Sequence, residues 1–213
     1  MKRPHVLLAD DHRLVAEGLK SLLSDEFELV GVVEDGRDLI EAAQKLRPEV
    51  IVADITMPHL NGIDALVRLK RDGIQVPVVF LTMHAEVAYA RRALEAGAAG
   101  YVLKPSAPAE LITAIRAALA GKTYVSPAVA GEVLRVINHE PEKAGDPVAL
   151  LTPRQREILQ LLAEGRSAKE IGDTLAISVR TVEFHKYEVM EKLELRTSAD
   201  LVHFALKHGI AEI

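Results

Sequence analysis

Apolar and polar positions follow two different periods along the first 120 or so residues. Short β-branched runs occupy positions 5–10, 27–33, 50–54, 76–82 and 100–103. Between them, apolar residues recur at helical spacing. The five stripes are Leu14, Val15, Leu19, Leu22 and Leu23; Leu39, Ile40, Ala43 and Leu46; Ile63, Leu66 and Val67; Val87, Ala90 and Leu94; and Leu111, Ile112, Ile115 and Leu119. Five strands alternating with five helices predict a doubly wound α/β fold, a parallel sheet covered on both faces. The uninterrupted apolar runs at 50–53 and 78–81 suit strands buried on both sides.

The alternation stops after Lys122. Residues 126–138 predict one more helix, with Val129, Val133, Leu134 and Ile137 on a common face. The stretch 139–147, with two prolines, one glycine and mixed charges, reads as a flexible linker. Beyond it the pattern is helical throughout. Thr152-Pro153-Arg154-Gln155 and Ser167-Ala168-Lys169-Glu170 are capping boxes, the first with proline in the opening turn. Ser178 and Ser198 are further caps, and Gly165 and Gly209 are stops. These signals predict four short helices. Two of them, over 167–175 and 178–193, are joined so tightly that they describe a helix-turn-helix. The expected organisation is a first domain over 1–122, a linker with a helix over 123–147, and an all-α domain over 148–213.

Composition narrows the classes. Of 213 residues, 49% are apolar and 27% charged, which excludes disordered and collagen-like chains. There is no Cys, so a disulfide framework, a thiolate metal site, a zinc finger and a cysteine nucleophile are all excluded. The apolar runs fall well short of the ~20 residues a spanning helix needs. Met1-Lys2-Arg3 starts like a signal peptide, but the apolar run after it stops at Asp10-Asp11. A cytoplasmic protein with no membrane partner is expected. Net charge is −5, and residues 148–213 carry nine Lys/Arg against ten Asp/Glu. Only a local basic patch could therefore attract nucleic-acid phosphates.

In a doubly wound sheet, ligands bind at the carboxyl ends of the strands. The predicted ends carry Asp10-Asp11, Asp54, Thr82 and Lys104, and a strand order of 2-1-3-4-5 makes them converge. Each feature has an ordinary local role alone: an Asp-Asp caps a helix, a Lys-Pro makes a turn. Together they make a site. Three neighbouring carboxylates repel one another unless a cation joins them, and hard oxygen ligands suit Mg²⁺. With the cation in place a central carboxylate, best Asp54, could attack phosphorus while Lys104 and the Thr82 hydroxyl share the phosphoryl charge.

At these residues the chain resembles the receiver domain of two-component response regulators. Asp10-Asp11, Asp54 with Pro58 and Gly62 after it, Thr82, Tyr101 and Lys104-Pro105 match that pattern over about residues 4–120. The resemblance implies that Asp54 accepts a phosphoryl group from the phosphohistidine of a sensor histidine kinase. It implies Mg²⁺ held by Asp11, Asp54 and the Thr56 carbonyl with Asp10 assisting, phosphate contacts from Thr82 and Lys104, and a cis Lys104–Pro105 bond. It also implies a switch in which Thr82 moves toward the phosphoryl group and Tyr101 turns inward. Read alone, Tyr101 is a half-buried aromatic on an edge strand. Met83 and His84, after Thr82, are placed to tune access of water or to be solvated.

In the second predicted helix of the pair, Val182, Val189 and Leu193 mark the buried stripe, while Glu183, Phe184 and Tyr187 lie on another face flanked by Arg180 and Lys186. In a helix-turn-helix this second helix enters the major groove. Glu183 could accept from cytosine and Phe184 touch a thymine methyl, with Lys169, Arg180, Lys186, Lys192 and the Thr181 hydroxyl near phosphates. The run 151–159, Gly165, Lys169-Glu170-Ile171, Leu175, Ile177-Ser178, Thr181-Val182, His185 and Lys192-Leu193 resembles the LuxR-type DNA-binding domain. With the receiver this is similar to the NarL/FixJ class, which implies a double-stranded DNA operator. That class also implies a homodimer on phosphorylation, with Leu201, Val202 and Ala205 of the last helix at a dimer contact. Gln155, Ala168 and Gly172 depart from the commonest residues, and glycine at 172 should weaken its helix by about 0.5–1 kcal/mol relative to alanine. The expected function is a transcription regulator switched by phosphorylation, not an enzyme beyond its own phosphoryl transfer and slow hydrolysis. Two alternatives are a constitutive DNA binder whose receiver only dimerises and a Mg²⁺-dependent phosphohydrolase.

Overall fold

The computed structural model describes residues 3–139 and 147–211. Its elements form two compact units. Of the expected linker at 139–147, residues 140–146 lie outside the described residues.

The first unit runs β1 (His5–Ala9), α1 (Arg13–Leu23), β2 (Glu28–Val33), α2 (Gly36–Leu46), β3 (Val50–Ala53), α3 (Gly62–Arg71), β4 (Val78–Thr82), α4 (Val87–Glu95), β5 (Gly100–Leu103), α5 (Ala107–Leu119), β6 (Tyr124–Val125) and α6 (Pro127–His139). Its sheet has the order β2-β1-β3-β4-β5-β6, every pair parallel. All five expected strands form, and a sixth is added. A two-residue strand has no periodicity to read, and β6 is fixed instead by pairing Tyr124 with Gly100 and Val125 with Tyr101. β5 is consequently not an edge strand, and Tyr101 is fully buried rather than half-buried.

Alternate strand residues feed the two faces. Val6, Leu8, Val50, Val52, Val79, Leu81 and Val102 pack with Ala16, Leu19 and Leu23 of α1 and Leu111, Ala114 and Ile115 of α5. Leu7, Ile51, Phe80 and Tyr101, of opposite parity, are just as fully enclosed. Each such side chain contributes roughly 1.5–3 kcal/mol by leaving water. Leu14 is not part of the α1 stripe: it is 88% exposed and Ala16 takes the inward position. Ala16, Leu19 and Leu23 follow the helical period, and Leu14 falls outside that arc. In α6, Val129 and Val133 are buried one turn apart while Leu134 is 59% exposed, a further correction. The Ile137 side chain lies outside the described residues.

The second unit holds a 3-10 turn (Pro147–Leu150), α7 (Pro153–Ala163), α8 (Ala168–Leu175), α9 (Val179–Lys192) and α10 (Ser198–Lys207). Thr152 with Gln155 and Ser167 with Glu170 form reciprocal capping boxes, and Ser178 caps α9. Ser198 does not cap α10; Thr197 does, because the acid three residues on, Asp200, returns its hydrogen bond. Gly165 (φ 82) and Gly209 (φ 58) follow their helices in the left-handed region. Ile158, Leu161, Ile171 and Val182 join α7, α8 and α9, while Leu159, Val189, Leu201, Ala205 and Ile210 join α7, α9 and α10. No helix among the described residues is long and apolar enough to cross a membrane.

Candidate functional site

Adjacency of β1, β3, β4 and β5 carries their C-terminal ends to one rim. Asp10 and Asp11 follow β1, Asp54 follows β3, Thr82 closes β4 and Lys104 follows β5. The backbone N–H of Asp54 donates to the Ala9 carbonyl (2.8 Å), which aligns two of these ends. The Lys104 ammonium lies 2.6 Å from Asp54 Oδ2 and 2.9 Å from Asp10 Oδ2. The other Asp54 oxygen accepts from the N–H of Ile55 (2.6 Å) and, more distantly, of Thr56 (3.4 Å). Asp10, Asp54 and Thr82 are all buried.

The start of α3 closes one side. Asn61 caps it by accepting from the Asp64 N–H (2.9 Å). The Gly62 N–H donates to the Ile55 carbonyl (2.7 Å), and a Cβ at Gly62 would lie 2.2 Å from the Asp54 carbonyl oxygen. Glycine at 62 is therefore a packing requirement of the acidic loop.

Charge explains the rest. Burial pushes the Asp54 carboxyl above its ordinary range, with Asp10 adding to the effect and Lys104 and the Ile55 N–H opposing it. Burial works against the Lys104 ammonium too, yet Asp54 and Asp10 outweigh it and hold its pKa up. One ammonium between two carboxylates gains from both, whereas the carboxylates remain short of positive charge. Asp10, Asp11 and Asp54 bring −3 and Lys104 +1, a formal −2 at the rim. Carboxylate oxygens of Asp10, Asp11 and Asp54 and a ring nitrogen of His12 all lie within 4.8 Å of one another. This donor set fits a hard divalent cation in both charge and chemistry, and could bind a metal ion.

Several contacts escape sequence reasoning. His12 Nδ1 sits 2.9 Å from Asp11 and 3.3 Å from Asp10; its position directly after the two aspartates was the available signal. His84 is not simply solvated. Its Nε2 is 2.8 Å from the Thr56 hydroxyl, its ring stacks on Tyr89 with centroids 4.1 Å apart, and its N–H donates to Thr82 Oγ1 (3.2 Å). Tyr101 is already inward, donating from its hydroxyl to the His84 carbonyl (2.7 Å); burial pushes its phenol pKa up. The Lys104–Pro105 bond is trans, not cis. Pro105 lies in a 3-10 turn (Lys104–Ser106) whose φ its ring matches.

In the second unit, Ala176 (φ 52) and Ile177 turn α8 into α9, and the Ile177 N–H returns to the Gly172 carbonyl (2.9 Å). Arg180, Glu183, Phe184 and Tyr187 fall at i, i+3, i+4 and i+7 on one side of α9. Phe184 and Tyr187 are 58% and 66% exposed; Lys169 and Arg180 are exposed, and Glu183 and Lys186 half-buried. Two of the singled-out groups are engaged within the unit: Thr181 Oγ1 with Ser178 Oγ (2.8 Å), and Lys192 with Gln155 Oε1 (2.9 Å). Leu201 and Ala205, expected at a dimer contact, are instead buried, because this face of α10 covers α7.

Two family descriptions match the chain: a response regulator receiver domain over residues 6–116 and the luxR family of bacterial regulatory proteins over 149–205. The chain is 39% identical over 207 residues to the transcriptional regulatory protein MctR of Rhizobium johnstonii, covering 96% of this chain and 94% of MctR. It is 32% identical to the response regulator UvrY of Escherichia coli, covering 97% and 95%. Among solved structures, RcsB of Salmonella enterica serovar Typhimurium, bound to a promoter with the phosphomimetic BeF3−, shares 28% identity at a TM-score of 0.60, covering 95% of this chain and 98% of RcsB.

Proposed function

The chain belongs to the response regulators that join a receiver to a luxR-type domain and is a two-component transcriptional regulator, not an enzyme; from that premise we propose that phosphoryl transfer to Asp54 switches it. The donor is the phosphohistidine of a sensor histidine kinase. An Asp54 carboxylate oxygen forms the new bond to phosphorus, the phosphorus–nitrogen bond breaks, and the imidazole leaves as the acyl phosphate forms. We assign 1–122 to the phosphoacceptor domain, 123–147 to a linker segment whose β6 and α6 pack onto that domain, and 148–213 to the DNA-binding domain.

Asp11, Asp54 and the Thr56 carbonyl, with Asp10 assisting, would hold Mg²⁺. Bound there, the ion neutralises charge on the phosphoryl oxygens. The chain's own part is positional. Lys104 already grips Asp54 and is placed to follow the charge onto the phosphoryl group. Thr82 is buried at the same rim, and Tyr101 donates its hydroxyl to the carbonyl of His84, two residues on. The observation that carries the reading is the buried Asp54 carboxylate beside one ammonium in a cluster of formal charge −2.

Glu183, Phe184 and Tyr187 are assigned to the major groove of a double-stranded operator, with Arg180, Lys169 and Lys186 toward phosphates. Lys192 and Thr181 are also bonded within the unit, to Gln155 and Ser178, and keep further hydrogen-bonding capacity for phosphates. Phosphorylation favours a homodimer that reads two half-sites. Asp54→Ala should abolish labelling by acetyl phosphate with Mg²⁺ while the wild type is labelled. Undiminished labelling of the variant overturns the assignment.

A further inference from the structure

The segment β6–α6 is fastened to β5 at the residues flanking the switch. The Ser126 N–H donates to the Tyr101 carbonyl (2.8 Å), continuing the pairing of Val125 with Tyr101. The Leu103 N–H donates to Ser126 Oγ (3.2 Å), and that hydroxyl donates to Glu110 of α5. Ser126 is fully buried, and its carbonyl accepts from Val129 and Ala130 (both 3.0 Å), so the same residue starts α6. Glu110 also faces Tyr124, whose phenol pKa burial and this carboxylate push up. α6 lies against α4 and buries Val129 and Val133.

Both supports of α6 lead back to the phosphoacceptor rim. β5 carries Tyr101 and runs directly into Lys104, which grips Asp54. α4 carries Tyr89, stacked on His84, whose carbonyl holds the Tyr101 hydroxyl. A buried serine that is bonded at its N–H, its hydroxyl and its carbonyl has no slack: moving β5 moves the start of α6.

We propose that Ser126 and Glu110 form a clasp that obliges α6 to follow β5, so that a rearrangement at Tyr101 and Lys104 is delivered to the helix from which the chain leaves toward its second unit. The inference rests on the phosphoacceptor reading of Asp54 and adds the route by which that event leaves the receiver. Coupling here is mechanical, through a hydrogen-bonded element that both ends can bias.

The test uses the full-length protein with Mg²⁺ and beryllofluoride, an acyl-phosphate analogue. Fluorine NMR reports whether the analogue binds at Asp54, and backbone hydrogen exchange reports α6. In the wild type the analogue should give a bound resonance and change exchange of the α6 amides by about threefold or more. Ser126→Ala should keep the resonance and the response of the loop after β4, yet lose the response of α6. Ser126→Thr, which retains a hydroxyl, should restore it. Glu110→Ala removes the acceptor from the outer side and should reproduce the loss should Ser126→Ala fold poorly. An α6 response undiminished in both variants overturns the clasp, as does a wild type that binds the analogue without any change in α6. A wild type with no bound resonance overturns the phosphoacceptor reading, and the clasp falls with it.

Discussion

The Thr56 hydroxyl and His84 Nε2, 28 residues apart in sequence, stand 2.8 Å apart and bridge the loop after β3 to the loop after β4. The first loop holds Asp54 and the carbonyl assigned to the metal; the second begins at Thr82. Stacking on Tyr89 fixes the imidazole from the other side. Thr56→Val deletes the hydroxyl at similar volume and keeps the carbonyl, and His84→Ala deletes its partner. Each should shorten the lifetime of the acyl phosphate by roughly 2–10-fold, because the bridge restricts water at the rim. The double variant should add little, giving a coupling energy of about 0.5–1.5 kcal/mol in a double-mutant cycle. Strictly additive effects would show that the contact does no work in the reaction.

The charge at Asp54 links stability to pH. Burial raises its native pKa above 3.8, so the native state keeps its proton longer than the unfolded chain. The sign follows: stability from this group is fully present below pH 3.8 and is lost as pH rises through the raised native value. Asp54→Asn removes the buried charge, and Lys104 retains Asp10. Without metal at pH 7, the variant's thermal midpoint should rise by roughly 2–5 °C. Mg²⁺ should raise the wild-type midpoint by mass action and leave the variant's nearly unmoved. A lower midpoint in the variant would mean that the Lys104 pair outweighs desolvation.

Much of this was legible along the chain, and the exceptions have physical reasons. Five strands and their helices declare themselves because buried faces impose periods of two and 3.6, and the rim is legible because it sits where those periods end. β6 is too short to have a period. The contact of His84 with Thr56 is set by how two loops distant in sequence meet in space, which no local pattern encodes. Leu14 and Leu134 show that an apolar residue near a stripe need not be on it. Leu201 and Ala205 show the converse, since a helix face marked for a partner can be required by the unit's own core.

Gly62 tests how tightly α3 seals the acidic loop. An alanine Cβ there would sit 2.2 Å from the Asp54 carbonyl oxygen and 2.9 Å from the Phe80 ring. The oxygen belongs to backbone already bonded on both sides, so relief requires moving the phosphoacceptor itself. Gly62→Ala should cost about 1–3 kcal/mol in urea unfolding and slow labelling by acetyl phosphate. Unchanged labelling would show that the loop adapts without displacing Asp54.

Phe184 and Tyr187 separate recognition from folding. Both are largely exposed on α9 while Val182 and Val189 hold the helix in place. Phe184→Ala and Tyr187→Ala should leave the unfolding midpoint within about 0.5 kcal/mol of wild type. Affinity for a DNA duplex selected from a random pool by the wild-type protein should fall about tenfold, a loss of about 1.4 kcal/mol. Retained affinity would move the interface off this face of α9.

Gly172 sets helix propensity against geometry. Propensity alone favours alanine in α8 by about 0.5–1 kcal/mol. In the folded unit, however, an alanine Cβ would approach the Ile177 carbonyl oxygen to 2.8 Å, and that carbonyl lies in the turn that aims α9. The same turn is already drawn in by the bond from the Ile177 N–H to the Gly172 carbonyl. Because the obstacle is backbone rather than a flexible side chain, α8 and α9 must separate by a few tenths of an ångström to admit the methyl group. Overpacking of this kind costs about 1–3 kcal/mol, more than the propensity gain. Gly172→Ala should therefore destabilise the protein by about 1 kcal/mol in urea unfolding and weaken binding to the selected duplex. A stabilised variant with unaltered DNA affinity would show that the turn yields freely and that propensity decides at this position.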